Sequence, residues 1–299
     1  MKATRRFMKA SGQALGLLWL AGHLAAGVSP AVAGDSLSAG EVERYVRYGF
    51  TLQNETGQLV PAADLWVCAP LKATSLQQRR DLKASRLFDE VTDSLGNQVL
   101  HFAFSNIPPY AVRIVTVEAT VALRTQGEPA DLAPGAWLQA GPLYEYDQEA
   151  FTRLAPEFPR GDAAQTARAI FDWVRQNVQD IGYDGTDRGA LHALTEKKGD
   201  CTEFATLFAA LCRRTGIPAR AMGGYMISQN TALDPAAFHN WAEFYLNGAW
   251  HLADPQSGVF DEKSEQYVAT RVLGPSDSPL ENFARFRYTG PGIKAVMNK

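Results

Sequence analysis

The chain has 299 residues, 46% of them hydrophobic and 20% charged, which excludes a disordered or low-complexity protein and leaves room for one large domain or two smaller ones. Its net charge of −3, without a concentration of Lys and Arg, excludes a protein that tracks nucleic acid by charge. The three cysteines, Cys68, Cys201 and Cys212, form no CxxC or Cys/His cluster, which argues against a zinc framework.

Residues 1–33 read as a signal peptide. Lys2, Arg5, Arg6 and Lys9 form a basic start, Ala14 to Gly27 is mostly apolar and small, and Ala31-Val32-Ala33 offers a cleavage site. The apolar run is too short for a span of about 20 residues; a retained N-terminal anchor is the alternative. Thr4 to Lys9 also resembles a twin-arginine export signal, one residue shorter than usual. Cleavage removes four positive charges and leaves 25 basic against 32 acidic residues, a net charge of −7. A periplasmic or secreted location is expected, with no membrane span in the mature protein. The odd cysteine count leaves at least one thiol unpaired within the monomer, in an oxidising compartment.

Residues 34–125 are expected to form a β-rich, β-sandwich-like domain. Tyr45 to Leu52, Leu65 to Cys68, Val99 to Phe104 and Val112 to Leu123 are short runs of β-formers, broken by Pro70, Gly96-Asn97 and Pro108-Pro109. Residues 126–150 read as a connector, and 151–299 as a catalytic domain. Asp162 can cap a helix whose apolar positions are Ala167, Ile170, Phe171, Val174 and Val178. Asp180 to Lys198 reads as a Gly- and charge-rich loop. Asp200 and Glu203 form a capping box for a helix that opens at Cys201 and closes at Gly216-Ile217-Pro218. Strands follow over Ala219 to Ile227, Asn240 to Leu246 and Ala249 to Ala253, with Asn247-Gly248 as a hairpin turn. Gln266 to Leu273 and Phe286 to Tyr288 are further strand-like pieces.

Cys201 stands at a helix N-terminus, whose free N–H groups favour negative charge and can bind an oxyanion; Asp200 and Glu203 oppose the first effect. A small buried cysteine is the plain alternative. In a two-residue hairpin, Leu246 faces Ala249 and Trp241 faces Asp254. His239, Trp241, Glu243 and Tyr245 then share a face with Asp254, Leu252 and Trp250. His239 and Asp254 become diagonal neighbours, about 7–8 Å apart at the backbone, which side chains can bridge. His251 points away, whereas one extra loop residue would exchange the two histidines. Cys212, three helical turns from Cys201, cannot bridge it; Cys68 reads as a buried strand residue, with a Cys68–Cys212 disulfide as the alternative.

Gly199-Asp200-Cys201-Thr202-Glu203-Phe204-Ala205, with Gly216-Ile217-Pro218-Ala219-Arg220, resembles the cysteine helix of the transglutaminase-like superfamily. His239-Asn240-Trp241-Ala242-Glu243 resembles its histidine strand, and Trp250-His251-Leu252-Ala253-Asp254-Pro255 its aspartate strand. Asn240 stands where small residues are common. The resemblance spans about residues 163–260. It implies an α+β, papain-like core with the cysteine helix packed on an antiparallel sheet, and a triad of Cys201 as nucleophile, His239 as base and Asp254 as orienter. It implies no metal or organic cofactor. Tyr183 is a candidate second oxyanion donor. The expected activity is acyl transfer on a protein or peptide substrate through a thioester, with water or an amine as acceptor. A catalytically silent binding or scaffold protein of the cell envelope is the alternative.

Overall fold

Alternating side chains build the first strands. In β1 (Glu41–Asn54), Val46, Tyr48, Phe50 and Leu52 turn inward while their neighbours face out. The computed structural model describes residues 40–129, 134–280 and 285–299; the expected signal segment lies outside the described residues. β2 (Val60–Cys68), β3 (Gln77–Ala84), β4 (Asp89–Thr92), β5 (Gln98–Ile107) and β6 (Val112–Arg124) complete the β-rich N-terminal region. Its sheets, one holding β3, β6 and β1 and the other β2, β5 and β4, share a core of Phe50, Leu52, Leu65, Phe102, Val115 and Val117. β3 and β4 were not evident from the sequence. Both are polar edge strands, and β4 is exposed along its whole length.

Among the described residues, four α-helices follow. They are α1 (Glu149–Leu154), α2 (Ala163–Asn177), α3 (Gly189–Glu196) and α4 (Cys201–Arg214). Asp162 caps α2 by accepting the Ala164 N–H at 2.9 Å. The stretch read as a loop over 180–198 contains α3, flanked by the paired two-residue strands β7 (Gln179–Asp180) and β8 (Lys198–Gly199). α3 has only two turns of amphipathic signal, Ala190, Ala193 and Leu194, too short to stand out among Gly and charged residues.

The C-terminal half supplies β9 (Ala219–Met226), β10 (Thr231–Ala232), β11 (Phe238–Leu246), β12 (Ala249–Asp254), β13 (Val259–Phe260), β14 (Tyr267–Leu273), β15 (Phe286–Thr289) and β16 (Ile293–Met297). An antiparallel sheet runs β13-β12-β11-β9-β14. α4 packs across it, with Phe204, Leu207, Phe208 and Leu211 in one core with Ala221, Ala242 and Phe244. Each large apolar side chain so buried contributes about 1.5–3 kcal/mol. Ala205, Ala209 and Ala210, all at most 1% exposed, let the helix approach its neighbours closely. The last strands return to the N-terminal sheets: β15 pairs with β2, and β16 and β10 with β1. None of Cys68, Cys201 and Cys212 forms a disulfide, so the pairing considered from the sequence is not made. Among the described residues, no helix is long and apolar enough to cross a membrane.

Candidate active site

Cys201 owes its position to its neighbours. The Asp200 carboxylate accepts the Thr202 N–H at 2.8 Å, and Glu203 reaches back to accept the Asp200 N–H at 3.1 Å. This capping box holds Cys201 at the first helical position. Glu203 is fully buried, and its second oxygen accepts the N–H groups of Arg188 at 2.9 Å and Gly189 at 3.3 Å. The second Asp200 oxygen accepts the Asp184 N–H at 3.1 Å. The loop before α3 is thus stitched to the first turn of α4. A Cβ on Gly199 would stand 2.2 Å from the Glu203 Cβ, so this step requires glycine.

The β11–β12 hairpin pairs Leu246 with Ala249, Tyr245 with Trp250 and Glu243 with Leu252. Asn247 and Gly248 both have positive φ, 52° and 88°, the two-residue turn whose twist matches the strands. His239 Nε2 lies 2.7 Å from Asp254 Oδ2, and the ring is also hydrogen-bonded to Cys201, for which Nδ1 is left. Sulfur, imidazole and carboxylate therefore stand in one line. Asp254, 1% exposed, also accepts the Tyr267 hydroxyl at 3.0 Å and the Ser257 N–H at 3.0 Å. His251 faces the other way. It pairs with Asp261 at 2.8 Å and stacks on Phe244.

Burial pulls the His239 pKa down, but hydrogen bonds to Asp254 and Cys201 outweigh it and raise it to about 10. Burial pushes the Asp254 carboxyl up, and the His239 and Ser257 hydrogen bonds hold it below its ordinary value. The imidazolium is thus the favoured ring form at neutral pH. Behind the line, Trp241 is buried edge-on to the Tyr267 ring, and Trp250 packs against Arg220, which pairs with Glu243 at 2.6 Å. These contacts pack the strand face that carries His239.

Cys201 and His239 line a cleft of about 830 Å³ together with Asp184, Asp187, Phe238 and Arg285. Tyr183 is at the same cleft, 86% exposed at its rim. Asn240 Nδ2 donates to Thr202 Oγ1 at 2.9 Å, so this asparagine ties the histidine strand to the cysteine helix. Tyr267 was missed as a partner of Asp254. The available signal was a phenol opening a mostly apolar strand-like run, since a buried hydroxyl needs a partner. Asp187 was also missed, because nothing in a charged loop marks which carboxylate enters a cleft. Among the described residues, no group of three or more His, Cys, Asp or Glu side chains is placed to hold a metal ion.

The chain has a mixed α+β fold of the transglutaminase-like cysteine protease type, with a cysteine helix on an antiparallel sheet. Residues 152–255 match the family model described as the transglutaminase-like superfamily. An uncharacterized protein of Mycobacterium leprae is 31% identical over 119 residues, covering 38% of this chain and 40% of the relative. A protein-glutamine gamma-glutamyltransferase of Pseudomonas aeruginosa is 31% identical over 123 residues, covering 36% of this chain and 17% of the relative. The matched segments thus span less than half the length of these curated relatives. A solved structure named a "putative cysteine protease" of Cytophaga hutchinsonii aligns with a TM-score of 0.56 and 19% identity, over 86% of this chain and 92% of that one.

Proposed function

We propose that this protein catalyses thiol-dependent acyl transfer on carboxamide or peptide bonds of protein or peptide substrates. One observation carries the proposal: Cys201, His239 and Asp254 form a single hydrogen-bonded line that opens on a cleft of about 830 Å³. In the reactive pair the thiol proton already resides on His239, whose imidazolium Asp254 holds, and Cys201 stands as the thiolate. Cys201 Sγ then attacks the carbonyl carbon, and the carbonyl oxygen takes the negative charge beside the N-terminal N–H groups of α4. The C–N bond breaks, His239 returns its proton to the departing amine or ammonia, and a thioester remains. Water or an amine attacks the thioester, gives a proton to His239, and releases the Cys201 thiolate with a carboxylic acid or a new amide. The open cleft supports water as the ordinary acceptor, hence a peptidase or amidase; an amine acceptor makes the same site a transglutaminase. The basic, apolar and A-x-A segments of residues 1–33 support action outside the cytoplasm.

The test is incubation of the protein from residue 34 with a peptide library, with and without a primary amine. Mass spectrometry then reads cleavage, deamidation or amine incorporation. Cys201→Ala should abolish every product while its circular dichroism and melting temperature stay close to the parent's. Turnover that survives Cys201→Ala refutes the assignment.

A further inference from the structure

Four carboxylates lie around the first turn of α4, and three of them already have structural duties. Asp184 pairs with Arg188. Asp200 caps α4 and accepts the Asp184 N–H. Glu203 is consumed by the N–H groups of Arg188, Gly189 and Asp200. Asp187 differs. It lines the cleft and is open to solvent, and its contact with Thr202 Oγ1 is long, 3.5 Å. It forms no ion pair among the described residues, although Asp200 and Glu203 lie near enough to disfavour its charge. Burial and these two carboxylates outweigh the attraction of Arg271, so a cation from outside would relieve the charge on Asp187.

A second observation comes from the same wall. Asn240, only 5% exposed, lines the cleft and spends its Nδ2 on Thr202. Its Oδ1 has no hydrogen-bond partner. A buried acceptor left open beside a carboxylate suits a ligand rich in N–H donors. The lining also includes Arg285, whose guanidinium donates to the Pro235 carbonyl and lies over the Phe238 ring. The cleft therefore carries both signs of charge, the negative one on Asp184, Asp187 and Asp200.

We propose that Asp187 is a specificity residue of this cleft, which receives an ammonium or guanidinium group of the substrate beside Cys201. The inference rests on the acyl-transfer reading above. The cation can belong to a Lys or Arg side chain near the scissile bond of the donor, or to the amine that accepts the acyl group. The groups that face Asp187 are Asp184 and Arg188 on its own loop, Asp200 and Glu203 on α4, and Arg271 on β14. Burial, Asp200 and Glu203 raise its pKa to about 6, so its preference for cations should weaken as pH falls through that value.

The first measurement needs no turnover. Cys201 is modified with 2-aminoethyl methanethiosulfonate, a cation, and with 2-sulfonatoethyl methanethiosulfonate, an anion. In each case the sulfur forms a disulfide and methanesulfinate leaves. Rates are read by mass spectrometry of the peptide that contains Cys201, and their ratio cancels changes in thiol reactivity. Asp187→Asn, which removes a repelled charge at constant shape, should lower the cation-to-anion ratio about fivefold at pH 7.5. It should also remove the change in ratio near pH 6; Asp187→Ala should do the same. A ratio that stays the same in both variants overturns the assignment.

The second measurement separates the sources. If the donor supplies the cation, Asp187→Asn raises KM for a donor with Lys beside the reactive residue relative to its norleucine analogue. If the acceptor supplies it, KM for the amine rises relative to KM for the donor. Either result supports the inference, and equal KM changes throughout overturn it. Normal turnover with an unchanged modification ratio refutes Asp187 alone. A shifted ratio with no turnover on any donor refutes the acyl-transfer reading and leaves the cation-selective role of Asp187 intact.

Discussion

Replacement of Asp254 by Asn tests the central line most directly, because it keeps the shape and removes the charge. Asp254 Oδ2 accepts from both His239 and Tyr267, and Oδ1 accepts from the Ser257 N–H. All three partners are donors. An asparagine has one acceptor oxygen, so in either orientation its NH₂ group meets at least one donor head-on. The rise of the His239 pKa from 6.5 to about 10 corresponds to ~5 kcal/mol net, after burial has opposed the two acceptors, at 1.36 kcal/mol per tenfold. Asp254 supplies the larger share. Its loss should cost about 3 kcal/mol of stability and, where Cys201→Ala has also removed the sulfur, leave burial to hold His239 below its ordinary value. Without the imidazolium, turnover should fall about 10³–10⁴-fold, the range expected when a triad loses its orienter. The assay is an NMR titration of the His239 ring in Cys201→Ala and in Cys201→Ala/Asp254→Asn, with kcat/KM and urea midpoints from the parent and Asp254→Asn. A ring that keeps the same titration midpoint with or without the carboxylate refutes the role given to Asp254.

Stability should follow pH with two losses. The folded-state pKa of His239 is raised, so its contribution is complete below about 6.5 and disappears as pH rises through about 10. The folded-state pKa of Asp254 is depressed, so its contribution is present above its ordinary value near 4 and disappears as pH falls. Urea midpoints from pH 3 to 11 should show both losses, and His239→Ala should flatten the alkaline one. Gly199→Ala should cost about 2–4 kcal/mol, because the added Cβ strikes Glu203 and opens the capping box; an unchanged urea midpoint counts against that steric reading. His251→Ala should change kcat/KM by less than about threefold, since its partners are Asp261 and Phe244; a loss comparable to that of His239→Ala would reassign the base.

Local chemistry made much of this protein legible in its sequence. The capping box at Asp200 and Glu203, the Asn247-Gly248 turn and the strict alternation of a strand depend only on residues near each other in the chain. They place Cys201 at a helix start and His239 and Asp254 on one strand face. What joins those two pieces is not local. The packing of α4 on the sheet brings the thiol to the imidazole, and only folding places the Tyr267 hydroxyl against Asp254. α3 stayed hidden for a related reason, since two turns carry too little periodicity and are stable only against α4. The return of β15 and β16 to the first sheets, and the entry of Asp187 but not Asp180 into the cleft, were decided by tertiary structure alone. Periodicity tells which face of an element is apolar, but long-range packing determines which element it meets.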